Sequence, residues 1–339
     1  MQRPRDIPNN SAWFSPLTHA MNRDTLERQQ VWVYLAAILL GLALGAAAPA
    51  LAPTWELLLW PALALLLYVT FTQIRLAHLP AAFKDTRFIA AALLGNFLLL
   101  PLLVYGVLWL VPDDDAIRLG LVLVLLVPCT DWFITFAHQA GGDLRRAVAL
   151  TPTLLIMQMV LLPLYLWLFM GADFMRIVSA GHMLGVFGVV IILPMALAYL
   201  TERWAEAQPP RAALIARLGW FPVPLLAIVL TLIAASQVEA VLGSLPVLGS
   251  ILAACLVFLL GAAACGVGLS KAFRLPTAQG RTLLFSFATR NSFVVLPFAL
   301  ALPSGWELAA IVVVFQSLIE LFGMLAFLWL VPRKLLPQR

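Results

Sequence analysis

VPCTDWFITFAHQAGGD, Val127 to Asp143, sets a proline, a cysteine and an aspartate side by side inside an otherwise apolar run. Pro128 has no N–H and crowds the preceding turn, so it frees carbonyls that a lipid-facing helix could not leave unpaired. The interruption must therefore face protein or water. A second one follows in SFATRNSFVVLP, Ser286 to Pro297, where Thr289, Arg290, Asn291 and Ser292 stand together. Whether these two segments are matched breaks in membrane helices decides the fold.

The chain around them is built for lipid. Its 339 residues are 63% hydrophobic and 11% charged, with a mean hydropathy of +0.99, beyond the apolar content of soluble domains. Runs of about 20 apolar residues, the length that crosses the hydrocarbon as a helix, recur along it. We read ten spans, near 31–52, 55–74, 88–111, 117–138, 147–170, 178–200, 218–236, 247–269, 281–302 and 307–331. Residues 1–30 are too polar to insert and read as a cytoplasmic tail, and 333–339 as a second one. With both termini inside, 18 of the 21 Lys and Arg residues fall on the cytoplasmic face, as the positive-inside rule requires. The net charge of +5 thus reflects topology and not nucleic-acid binding. Three cysteines make no disulfide framework, and Cys255 and Cys265 read as packing. No nucleotide-binding loop, histidine pair at metal spacing or nucleophile elbow is present, so we expect neither an enzyme nor a cofactor.

The halves resemble each other. IMQMVLLPLYLWL from Ile156 and VFQSLIELFGMLAFLWL from Val314 each carry a glutamine, Gln158 and Gln316, and an aromatic-rich end. Five spans per half force opposite orientations, the inverted-repeat plan of many secondary transporters, and broken segments at matching positions point to their binding site. The expected fold is all-α, with ten transmembrane helices as two inverted five-helix repeats, 31–171 and 177–332, whose broken helices 4 and 9 cross at mid-membrane.

Charges inside a membrane are costly and are usually paired or functional. Aligning Thr130 with Thr289 sets Asp131 opposite Arg290, an expected ion pair at the crossing; a purely structural pair is the alternative. Glu320, four residues after Gln316 on the same helix face, has no assigned basic partner and is the expected proton carrier, with Asp131 as a second proton-coupling candidate. Its alternative is a protonated group bonding between helices. Gln158 is its counterpart in the first repeat. Cys129 reads as a small apolar filler, though its place beside a helix break sets it apart from the other two cysteines.

Gly120 to Gln158 resembles the Pro-Cys helix, Gly-Gly-Asp turn and Gln-bearing helix of the arsenite-efflux branch of the bile acid/sodium symporter superfamily. GNFLLLP, with Asn96 and Pro101, is similar to its Asn-Trp-x-x-x-Pro segment, and SLIEL around Glu320 to its Ile-Glu-Val motif. The resemblance implies a panel of spans 1, 2, 6 and 7 and a core of spans 3–5 and 8–10. It also implies that Cys129 contacts the metalloid, which suits the affinity of a soft thiolate for As(III). The substrate-binding candidates are then Cys129, Thr130, Asp131, Thr289, Arg290, Asn291 and Ser292, with Asn96, Gln158 and Gln316 as supporting polar groups. Arg290 would also suit an anionic substrate, as in the organic-anion branches, while their sodium-binding pattern is not recognisable in FATRNSFVVLPF.

These observations lead us to expect a plasma-membrane transporter that exports arsenite or antimonite in exchange for protons. One alternative is a sodium- or proton-linked carrier of an organic anion. Another is a non-transporting sensor or scaffold, against which the insertion cost of three buried charges speaks.

Overall fold

The computed structural model describes residues 23–73, 85–130, 132–177, 185, 188–206 and 208–338. Asp131, most of the expected N-terminal tail and the start of the expected sixth span lie outside the described residues.

Among the described residues the regular structure is helical. Five stretches are long and apolar enough to cross a membrane: Pro49–Thr72, Thr86–Leu110, Leu144–Gly171, Leu245–Ala272 and Glu307–Leu335. The protein is a multi-pass membrane protein. Its helices are α1 (Arg23–Ala47), α2 (Ala52–Thr72), α3 (Thr86–Leu94), α4 (Leu100–Val107), α5 (Asp115–Leu126), α6 (Trp132–Gln139), α7 (Leu144–Ile177), α8 (Leu193–Glu206), α9 (Pro209–Leu218), α10 (Pro222–Ser236), α11 (Val238–Gly243), α12 (Leu245–Ala272), α13 (Thr277–Ala288), α14 (Ser292–Leu300) and α15 (Glu307–Leu330). The first begins at Arg23, eight residues before the expected span, so the polar RDTLERQQ extends that helix.

Two groups of helices pack internally. In one, α1 lies on α10, α10 on α2, and α2 on α8. Small residues let the first pair approach: a Cβ on Gly41 would stand 2.4 Å from the Thr231 carbonyl oxygen, and one on Gly45 2.5 Å from that of Ala235. In lipid no hydrophobic effect drives helices together, so close packing and interhelical hydrogen bonds must do so. Thr231 supplies one, its hydroxyl donating to the Ala37 carbonyl at 3.1 Å. In the other group α12 packs on α13, α4 and α15, α5 on α15 and α7, and α13 on α6.

One end of this second group is knit by charge. The Arg146 guanidinium meets Asp85 at 2.6 Å and Asp143 at 3.3 Å. Gln279 donates to Asp85 at 3.1 Å. The Gly-Gly-Asp turn fits here because Gly141 has φ +73° and a Cβ on Gly142 would lie 2.8 Å from the Thr282 hydroxyl oxygen. Arg281, buried, donates to the carbonyls of Ala140 at 2.8 Å and Leu336 at 3.0 Å, tying in the C-terminal segment. Burial alone would raise the Asp85 carboxyl, but the hydrogen bond and charge of Arg146, the Phe88 N–H and Gln279 outweigh it and hold the group below its ordinary value. A depressed carboxyl stabilises the fold above the ordinary carboxylate range and loses that contribution as pH falls through its lowered value. Asp85→Asn should therefore lower the melting temperature in detergent near neutral pH and by less in acid, closing the gap to wild type as pH falls.

Candidate functional site

Both interruptions are real, and they meet. α5 ends at Leu126, Val127 is extended (φ −105°, ψ 107°), and helix resumes at Trp132. α13 ends at Ala288, Thr289 is extended (φ −104°, ψ 139°), and α14 begins at Ser292. The two extended segments form one antiparallel bridge between Pro128 and Arg290. Cys129 N–H donates to the Thr289 carbonyl at 3.2 Å and Asn291 N–H to that of Val127 at 2.8 Å. Each break thus satisfies main-chain groups of the other, which is how irregular backbone survives away from water.

Side chains finish the junction. Asn291 caps α14, its Oδ1 accepting from Val294 N–H at 3.3 Å, and its Nδ2 donates to the Thr130 hydroxyl at 3.2 Å. The Thr289 hydroxyl donates back to the Phe285 carbonyl at 2.8 Å. Ser292 donates to Gln316 Oε1 at 3.4 Å, and Gln316 Nε2 donates to Glu320 Oε2 at 2.8 Å. That same carboxylate oxygen accepts the main-chain N–H of Arg290 at 2.9 Å. Cys129, Thr130, Thr289, Arg290, Asn291, Ser292, Gln316 and Glu320 are all buried.

Among the described residues Arg290 is the largest fully buried side chain, at 1% exposure. Its guanidinium folds back onto the ends of both interrupted helices. Nη1 donates to the Leu125 carbonyl at 3.4 Å. Nη2 donates to the carbonyls of Ser286 at 3.1 Å and Phe287, and to Asn96 Oδ1 at 3.1 Å. The group lies over the Phe258 ring, 5.3 Å from its centroid. Asn96 is aimed there by a π-helical turn, Gly95–Leu99, and by donating to Ala92 O at 3.2 Å and Ser286 Oγ at 3.1 Å. Such turns often mark functional positions.

Two expectations change. Glu320 does not stand apart from Arg290: its carboxylate accepts that residue's main-chain N–H. The facing register is also different from the alignment of Thr130 with Thr289, since Arg290 faces Pro128. The expected partner Asp131 lies outside the described residues.

Beside the junction a cleft opens between α1 and α10 on one side and α6, α14 and α15 on the other, lined by Tyr34, Trp132, Leu226, Leu230, Phe293 and Ser317 among others. Trp132 is stacked on Tyr34 with centroids 6.0 Å apart and meets Phe293 edge-on at 5.0 Å. Sequence reasoning missed these aromatics; the one available signal was that Trp132 and Phe293 each lie next to a break. Arg290 does not line this cleft. Of the remaining predicted residues, Gln158 is 1% exposed, and among the described residues neither of its amide atoms has a hydrogen-bond partner. Cys129 and Cys255 are buried, Cys265 is partly exposed, and none of the three forms a disulfide.

A family model described as Sodium Bile acid symporter family matches residues 60–244, more than half of the chain. No curated protein matches it significantly.

Proposed function

Because the chain belongs to the sodium bile acid symporter family, we propose that it is a secondary active transporter of the plasma membrane that exports arsenite or antimonite in exchange for protons. The observation that carries this reading is the position of Cys129. A thiol enclosed where two broken helices meet, with the hydroxyls of Thr130 and Ser292 and the amide of Asn291 in the same junction, offers a soft ligand for As(III) or Sb(III) and hydrogen bonds for their oxygens. Arg290, enclosed by carbonyls and outside the aromatic cleft, leaves a neutral trihydroxy metalloid better matched than an anion.

In this reading the ten spans form two inverted repeats, with both termini cytoplasmic. Helix positions support it. α5 and α13 are each 12 residues long, and the second starts and ends 162 positions after the first (115 to 277, 126 to 288). The α1, α2, α8 and α10 group would be the panel, and the group carrying the breaks the core that moves against it. Glu320, joined to the junction through Arg290 N–H, is the proton carrier.

The same offset accounts for the orphaned amide of Gln158. It maps Arg290 onto Pro128 and Glu320 onto Gln158, so each acceptor lies 30 positions after its partner. Glu320 receives the Arg290 N–H, whereas Pro128 has none to give. Gln158 is then left for substrate. Gln158→Leu removes a buried unsatisfied amide, a group that costs about 1–3 kcal/mol, so the variant should melt no lower than wild type while losing arsenite transport. Full transport by that variant would make Gln158 a packing residue.

The aromatic cleft favours a second reading. Two helix N-termini, at Trp132 and Ser292, start beside it, and their positive ends suit an organic anion held against Trp132 and Phe293. Arsenite content of challenged cells with and without the protein separates the two: reduced content supports metalloid export, and unchanged content with organic-anion uptake supports the second reading.

A further inference from the structure

The family description names sodium, yet among the described residues a cluster of oxygens suited to a free cation is already filled. Helix C-termini carry partial negative charge, about half an elementary charge each, and in transporters with broken helices these ends and the unwound carbonyls coordinate the coupling ion. Here the ends of α5 and α13 converge, and the group between them is the Arg290 guanidinium. Leu125 is the next-to-last residue of α5, and Ser286 and Phe287 lie in the last turn of α13. Their carbonyls, with Asn96 Oδ1, form a cage of neutral oxygens around it. The Glu320 carboxylate accepts the main-chain N–H of Arg290 at 2.9 Å.

We propose that Arg290 is a tethered substitute for the free cation, held by the carbonyl ends of both broken helices, so that this transporter does not use sodium. The chemistry favours arginine for such a post. A guanidinium stays protonated under any physiological condition, whereas a buried lysine readily loses its charge. Its planar fork reaches several carbonyls at once, as a hard ion would. Being covalently attached, it neutralises the two helix ends in every conformation and cannot dissociate to drive a cycle, which leaves coupling to another ion. The inference rests on the transporter reading but not on the identity of the substrate.

A melting experiment on the purified full-length protein keeps these separate. The protein is heated in detergent with sodium chloride or with choline chloride at equal ionic strength. Wild type should melt at the same temperature in both. Arg290→Ala, which empties the oxygen cage, should melt lower in choline and be restored by sodium in a saturable manner. Arg290→Lys, which retains a cation, should show a smaller sodium response than Arg290→Ala. Stabilisation of wild type by sodium over choline would overturn the proposal, and so would an Arg290→Ala variant that folds and is indifferent to sodium. If that variant cannot be purified, wild-type vesicles decide: substrate flux unchanged by replacing sodium with choline upholds the proposal, and flux lost without sodium overturns it. Vesicles that move organic anions and no arsenite would refute metalloid export alone, since the melting comparison contains no substrate.

Discussion

Cys129→Ser should abolish arsenite resistance in cells that depend on this protein, while the variant is made and inserted at wild-type levels. Serine preserves the size of the side chain and leaves the main-chain bond from residue 129 to the Thr289 carbonyl in place, so the bridge between the two broken segments is retained. What disappears is the soft ligand. An oxygen donor does not replace sulfur for a thiophilic centre, and the loss should exceed the roughly 10–100-fold cost of removing a supporting group around a metal site. Cys265→Ser, on a partly exposed thiol, should keep full resistance. Growth across an arsenite series, with protein quantified in the membrane fraction, checks both. Resistance undiminished in Cys129→Ser would move the organic-anion reading ahead.

Glu320→Gln should leave passive exchange of arsenite intact and remove its response to a pH gradient. The carboxylate oxygen that accepts from Arg290 N–H and Gln316 Nε2 can be replaced by an amide oxygen that accepts the same bonds. The junction therefore survives in a form that resembles the permanently protonated acid. A carrier that cannot release its proton cannot link proton flux to substrate flux. Exchange of labelled for unlabelled arsenite across vesicle membranes should persist, while an imposed gradient should produce no net accumulation. Retention of pH-driven accumulation would place the proton elsewhere.

The membrane character and the positions of both breaks were legible in the sequence, because Pro128 and the polar run at 289–292 interrupt long apolar stretches and lipid tolerates such interruptions only where protein pairs them. The electrostatics of the junction were not. Sequence reasoning pairs an unexplained arginine with an unexplained acid, and so matched Arg290 to Asp131. That pairing lies outside the described residues, whereas the guanidinium also meets carbonyls of Leu125, Ser286 and Phe287, partners that every residue possesses and that become available only when two helix ends converge. Arg281 was hidden for the same reason, since its acceptors are the carbonyls of Ala140 and Leu336. Tyr34 was out of reach because its place beside Trp132 depends on how α1 packs against the second group of helices.

Arsenite movement into everted vesicles carrying the wild-type protein, with an imposed acid interior and no sodium, tests the central claim most directly. Proton exit should drive arsenite inward, and one-for-one exchange would support up to about tenfold accumulation per pH unit, the ratio that ~1.4 kcal/mol sustains. Arsenite that fails to rise above the level in vesicles lacking the protein, while an organic anion enters under the same gradient or a sodium gradient, would contradict it.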